Sequence, residues 1–141
     1  MKKQYELRSS CIEIPYKKRN EIKQGVTFAN EHNHDQNPCI IKIFTDKDEA
    51  LKALAEYKTG LHSFISSAGL RYSVTEYYIE ENIYDDDNEF VEGGDIWAFS
   101  EMEIELIEKP SFETIGTYKT MADAIRAEEN YDGENEVYIS F

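Results

Sequence analysis

Residues 76–108 read EYYIEENIYDDDNEFVEGGDIWAFSEMEIELIE, thirteen Asp or Glu side chains with no Lys, Arg or His among them. Between Ile96 and Ile107 apolar residues alternate with acids, so that Glu101, Glu103 and Glu105 interleave with Met102, Ile104 and Leu106. A period of two is the signature of a strand with one face buried. The preceding run, Leu70 to Tyr84, is rich in Tyr, Val, Ile and Thr and reads as a long strand. Asp85 to Gly94 supplies the turn, punctuated by Gly93-Gly94. The stretch is therefore expected to form a central hairpin, 70–84 returning as 95–108.

The flanks of that hairpin look alike. Upstream, Cys39–Phe44 is a short β-branched run. Asp46 then opens a helix with Glu49 three residues on, a capping-box pattern that satisfies orphan backbone donors. Ala50, Leu51, Leu54 and Ala55 form its apolar stripe, and Gly60 is a plausible stop. Residues 61–68 are ambiguous: Leu61, Phe64 and Ile65 would extend the stripe with Gly60 inside it, and Gly69 breaks either version. Downstream, Phe112–Tyr118 is extended, Thr120 caps a second helix with Asp123, Asp132-Gly133 ends it, and Glu136–Phe141 reads as a strand. A shift of 74 residues carries Phe44, Ala50, Ala53 and Tyr57 onto Tyr118, Ala124, Ala127 and Tyr131.

Strand-helix-strand, hairpin, strand-helix-strand is the split βαββαβ order of ferredoxin-like proteins. The expectation is thus an α+β domain: one antiparallel sheet, both helices on one face, and an added N-terminal strand or hairpin. A single domain spans 1–141, with an N-terminal strand plus loop at 1–38 and units at 39–84 and 95–141. The N-terminal strand is residues 4–14, stopped by Pro15.

At 141 residues, 40% of them hydrophobic, the chain suffices for one core. Net charge is −14, and residues 1–23 are locally basic. Such a surface repels phosphate backbones and anionic membranes and attracts basic protein surfaces. No apolar run is long enough for a membrane helix, and no signal-peptide pattern is present, so a cytoplasmic location is expected.

Catalytic and cofactor templates are missing: no nucleophile elbow, phosphate-cradling glycine loop or dinucleotide fingerprint occurs. An enzyme is therefore not expected. Counted from Asp85, an EF-hand would need Gly and Glu where Phe90 and Ile96 stand. Cys11, His32, His34 and Cys39 offer the ligand types of a zinc site, although their spacing departs from the usual close pairs. A zinc-stabilised domain is a minor alternative.

The hairpin itself divides into two faces. Pairing Ile83 with Ile96 and Tyr77 with Met102 places Tyr77, Ile79 and Ile83 with Ile96, Ala98, Met102, Ile104 and Leu106 on a core face. Glu76, Tyr78 and Glu80 then share the opposite face with Trp97, Phe99, Glu101, Glu103 and Glu105, the turn adding Asp85, Asp86 and Asp87. Like charges in a row on a sheet cost a few tenths of a kcal/mol or more per pair, and aromatics beside them suit an interface. The chain resembles, in size, charge and composition alone, the small acidic phage-borne inhibitors of the anti-CRISPR and anti-restriction type. That resemblance implies a nucleic-acid mimic that occupies a basic groove of a nucleic-acid-binding protein. The alternative is a small bacterial domain that binds a protein or ligand without inhibiting it.

Overall fold

The computed structural model describes residues 1–29 and 39–140. They form β1 (Lys2–Pro15), a 3₁₀ turn (Tyr16–Glu21), α1 (Val26–Ala29), β2 (Cys39–Phe44), α2 (Lys47–Leu54), β3 (Gly60–Ser66) and β4 (Gly69–Tyr84). Then come β5 (Phe90–Phe99), β6 (Ile104–Glu108), β7 (Glu113–Tyr118), α3 (Met121–Glu129) and β8 (Val137–Ser140). The molecule is mostly β, and this overturns the ferredoxin-like α+β expectation. Two antiparallel sheets form instead of one, ordered β2-β1-β4-β3 with β5 also on β4, and β7-β6-β8.

The long strands β1 and β4 pair along their whole length, Lys2 opposite Tyr84 through Pro15 opposite Arg71. The N-terminal strand is thus the centre of its sheet, not an addition to it. Residues 60–66, ambiguous in the sequence, form β3 and hairpin back onto residues 69–75 of β4. That pairing decides the topology. With β3 on half of this β4 edge, β5 can pair only with residues 78–84.

The two strands meet end to end at a polar joint. Ser100 Oγ accepts from Tyr77 N at 3.0 Å and lies 2.8 Å from Thr59 Oγ1, while Thr59 N donates to Glu101 O at 2.9 Å. There the chain leaves the first sheet, and the expected return strand 95–108 splits into β5 and β6, in different sheets.

Of the expected repeat only the strand before each helix, the cap and the helix correspond. β1 lies between β2 and β4 as β6 lies between β7 and β8, but β1 stands outside the 39–84 unit and β3 follows α2 where β8 follows α3. A helix follows the first flanking strand: α2 after β2, α3 after β7. Asp46 and Thr120, 74 residues apart, are both N-caps, accepting from Asp48 N and Asp123 N. Ala50 and Ala124, also 74 apart, are both fully buried.

The sheet's two faces serve different cores. Ile12 and Ile14 of β1 and Tyr72 and Val74 of β4 pack against Met102, Ile104, Met121 and Ala124, which joins the second sheet and α3 to the first. On the other face Ala50 and Leu54 of α2 cover Leu7 and Ile79. Each fully buried aliphatic side chain contributes about 1.5–3 kcal/mol. Among the described residues no helix is long and apolar enough to cross a membrane.

Candidate protein-binding site: the acidic arm

β5 carries three irregularities against β4, because Glu80 pairs with Ile96, Asn82 with Gly93 and Tyr84 with Phe90. Each leaves one extra residue on β5: Trp97, Gly94 and Val91. Bulges twist an edge strand and re-aim its side chains. They also replace the expected register, since Ile83 faces Glu92 rather than Ile96, and Tyr77 meets Ser100 rather than Met102.

The structure separates the expected site residues into four groups. Glu76, Tyr78 and Glu80 lie on the first sheet's inner face. Glu76 has no exposed surface and accepts from Gly25 N, from Thr27 N at 3.2 Å and from Thr27 Oγ1 at 2.8 Å. Burial pushes its carboxyl pKa up, against the opposing pull of the Thr27 hydroxyl and the two backbone N–H groups. Tyr78 is buried, and that burial raises its hydroxyl pKa. Glu80 lies 3.5 Å from Arg8 Nε.

Asp85, Asp86, Asp87 and Trp97 belong to the arm formed by the end of β4, its turn and β5. Asp85 Oδ1 accepts from Asp87 N and Glu89 N, both at 2.9 Å, so it shapes the turn. Asp86, Asp87, Glu89, Glu92 and Asp95 are exposed, as are the apolar Phe90 (60%), Val91 (44%) and Trp97 (47%). Trp97 is turned to the α2 face: its Nε1 donates to Glu81 at 2.9 Å and Lys47 Nζ lies 3.1 Å above its ring. Phe99 instead pairs with Tyr78, ring centroids 6.4 Å apart, so these two aromatics sit on opposite faces.

Glu101 and Glu103 follow β5 and are counterbalanced, with Lys58 Nζ at 3.9 and 3.7 Å and Lys119 Nζ at 3.9 Å from Glu101. Glu105 lies in β6, opposite Thr117 and Ser140. The three glutamates do not form one ladder. Cys11 on β1 and Cys39 on β2 are free and exposed, Cys39 opposite Ser9 and Cys11 Sγ 3.1 Å from Ser73 Oγ. His32 and His34 lie outside the described residues. Among the described residues no three His, Cys, Asp or Glu side chains gather as a metal site.

Sequence reasoning missed a buried polar network beside Glu80. Arg8 donates to Glu6 Oε2, through Nε at 2.8 Å and also through Nη2, and Tyr84 OH donates to Glu6 Oε1 at 3.1 Å. Glu6 sits in an alternating strand at a position that looks solvent-facing. Only its pairing with Glu80 across β1 and β4 reveals two carboxylates sharing one guanidinium. The chain matches no protein-family model, no curated protein and no solved structure.

Proposed function

We propose that the chain is an acidic protein-binding module whose partner-facing surface is the arm Asp85–Ala98. The observation that carries this is the arm's make-up: exposed Asp86, Asp87, Glu89, Glu92 and Asp95 interleave with exposed Phe90, Val91 and Trp97. No basic residue lies within it. Interfaces draw affinity from such apolar and aromatic anchors and orientation from charge at the rim. The partner is a basic protein surface with an apolar centre. A groove that otherwise holds nucleic acid has that chemistry, and the chain's net charge of −14 favours encounter with it.

The counterbalanced Glu101 and Glu103 play no part in this reading. Charge reversal of Asp86, Asp87, Glu92 and Asp95 to Lys tests it, with wild type and variant immobilised against a panel of purified basic DNA-binding proteins. Wild type is expected to retain panel members at low salt, to release them as salt rises and to lose them to added duplex DNA. The variant retains none. Equal retention by both forms, or none by wild type, overturns the reading; retention that duplex DNA does not disturb keeps the module but removes the mimicry.

A further inference from the structure

The edge of the first sheet opposite the arm is β2, and like β3 it exposes apolar side chains with little charge among them. Among the described residues β2 pairs only with β1, so its outer backbone groups face away from the sheet. Three of its apolar side chains are exposed, Ile40 at 49%, Ile41 at 40% and Ile43 at 48%, while Phe44 packs on the core. Sheets usually blunt an edge with charge, proline or bulges. β5 has three bulges and two acids, whereas β2 has one bulge and a single charge, Lys42.

We propose that β2 pairs antiparallel with β2 of a second copy about a two-fold axis. The two sheets then become one, ordered β5-β4-β1-β2-β2-β1-β4-β5. This contact is independent of the arm. Three observations select a second copy as the occupant.

The first is register. Phe44 and Lys42 pair with Tyr5 and Leu7, and Ile43 pairs with Glu6 on the opposite face. An antiparallel pairing centred on Ile43 sets Ile43 against its own copy and Lys42 against Phe44, twice. Lys42 Nζ already lies 5.1 Å from the centroid of its own Phe44 ring, so the same cation–π contact is available across the axis.

The second is charge on the flank. A cleft of about 310 Å³ separates β2 from α2, floored by Leu7, Ile41 and Phe44, with Lys52 and Glu56 among its lining residues. A two-fold rotation runs the second α2 antiparallel to the first. Lys52 of each copy is thereby brought toward Glu56 of the other, the self-complementarity an isologous contact requires.

The third is long-range repulsion, which a net charge of −14 makes the chief obstacle to self-association. β5, with the acidic arm, is the opposite edge of the sheet from β2. Joined through β2, the two β5 strands lie seven strand steps apart, roughly 34 Å at about 4.8 Å per step. That is several times the ~8 Å screening length at physiological salt.

Sedimentation equilibrium across the micromolar range tests the proposal, and a mass twice 16.4 kDa is expected. Ile43→Lys, at an exposed position, is expected to sediment as monomer with an unchanged circular-dichroism spectrum. Val91→Lys on β5 is expected to stay dimeric. Lys52→Glu should weaken the dimer roughly five- to tenfold, as two partly exposed pairs are lost, and adding Glu56→Lys should restore it. A wild-type monomer throughout, or a dimer that survives Ile43→Lys, overturns the proposal. So does a double swap no tighter than Lys52→Glu, a readout that holds even if Ile43→Lys does not fold.

Discussion

Glu76 shows what one carboxylate does inside this fold. Both of its oxygens accept hydrogen bonds, from Gly25 N and from Thr27 N and Oγ1, so it ties the start of α1 to β4. Glu76→Gln keeps the shape but turns an amide donor toward donors. The expected loss is roughly 1–3 kcal/mol in urea denaturation, the cost of buried groups left unpaired. The pH dependence has a definite sign. Burial raises the folded pKa above its unfolded value, so the native state holds the extra proton. The stability linked to that proton is complete below the unfolded pKa and is lost as pH rises through the folded one. The gap between wild type and Glu76→Gln should therefore be largest at acid pH and narrow as pH rises. A gap that widens instead would mean the ionised form is the one the fold prefers.

Arg8 poses the complementary case, because it stands between Glu6 and Glu80. Arg8→Met leaves two little-exposed carboxylates facing each other without their cation. Breaking a buried ion pair in this way costs roughly 3–5 kcal/mol; partial exposure of Arg8 and Glu80 argues for the lower end. Replacing Glu6 and Glu80 with Leu in the same variant should recover most of the loss, as measured by thermal unfolding. A triple variant as unstable as Arg8→Met would show that the network does more than balance its own charge.

At the scale of elements, much was legible and one decision was not. Their caps and apolar residues located both helices, because a cap and an apolar stripe are local signals. Most strands were legible as β-branched and alternating runs, but β5 begins at Phe90, inside the expected turn 85–94, and the expected strand 95–108 breaks between Phe99 and Ile104. The strand at 60–66 was not legible, since Leu61, Phe64 and Ile65 stand at the i, i+3, i+4 spacing of a helical stripe. The whole topology turned on that point, for β3 takes the β4 edge that the expected hairpin needed. The site suffered in the same way. Glu76, Glu80 and Glu101 look alike in sequence, yet burial by the 25–27 segment, pairing with Arg8 and pairing with Lys58 separate them. The bulges of β5 also left no trace except Gly93-Gly94. A Cβ on Gly93 would stand 2.9 Å from Asn82 Cα, a backbone atom that cannot step aside. Gly93→Ala is thus expected to cost about 1–3 kcal/mol by overpacking and to disturb amide signals from Asn82 to Asp95 before those of β1. Unchanged signals there would show that the arm tolerates another register.

Across the whole molecule charge is segregated. Residues 1–23 are net positive, +4, and the remainder carries −18; the two meet where β1 pairs with β4. Lys3 lies 3.7 Å from Glu81, and Lys2 Nζ donates to Asn88 Oδ1 at 3.4 Å. These contacts are short and local, while repulsion among the surplus acids is long-ranged, so salt separates the two. Screening at 0.15 M extends to about 8 Å. It leaves partly buried pairs such as Arg8 with Glu6 nearly intact and removes repulsion between the arm, the Glu134 and Glu136 segment and the exposed acids at Asp46 and Glu49. The folded state should gain stability as salt rises from near zero to 0.15 M. For a chain of this size a gain near 1 kcal/mol corresponds to roughly 3–5 °C in Tm. The arm-reversed variant, eight charge units less negative, should start with the higher Tm and respond less to salt. A Tm that falls as salt is added would mean that attraction between the basic N-terminal strand and the acidic arm outweighs the repulsion. The arm would then be held chiefly by its own charge.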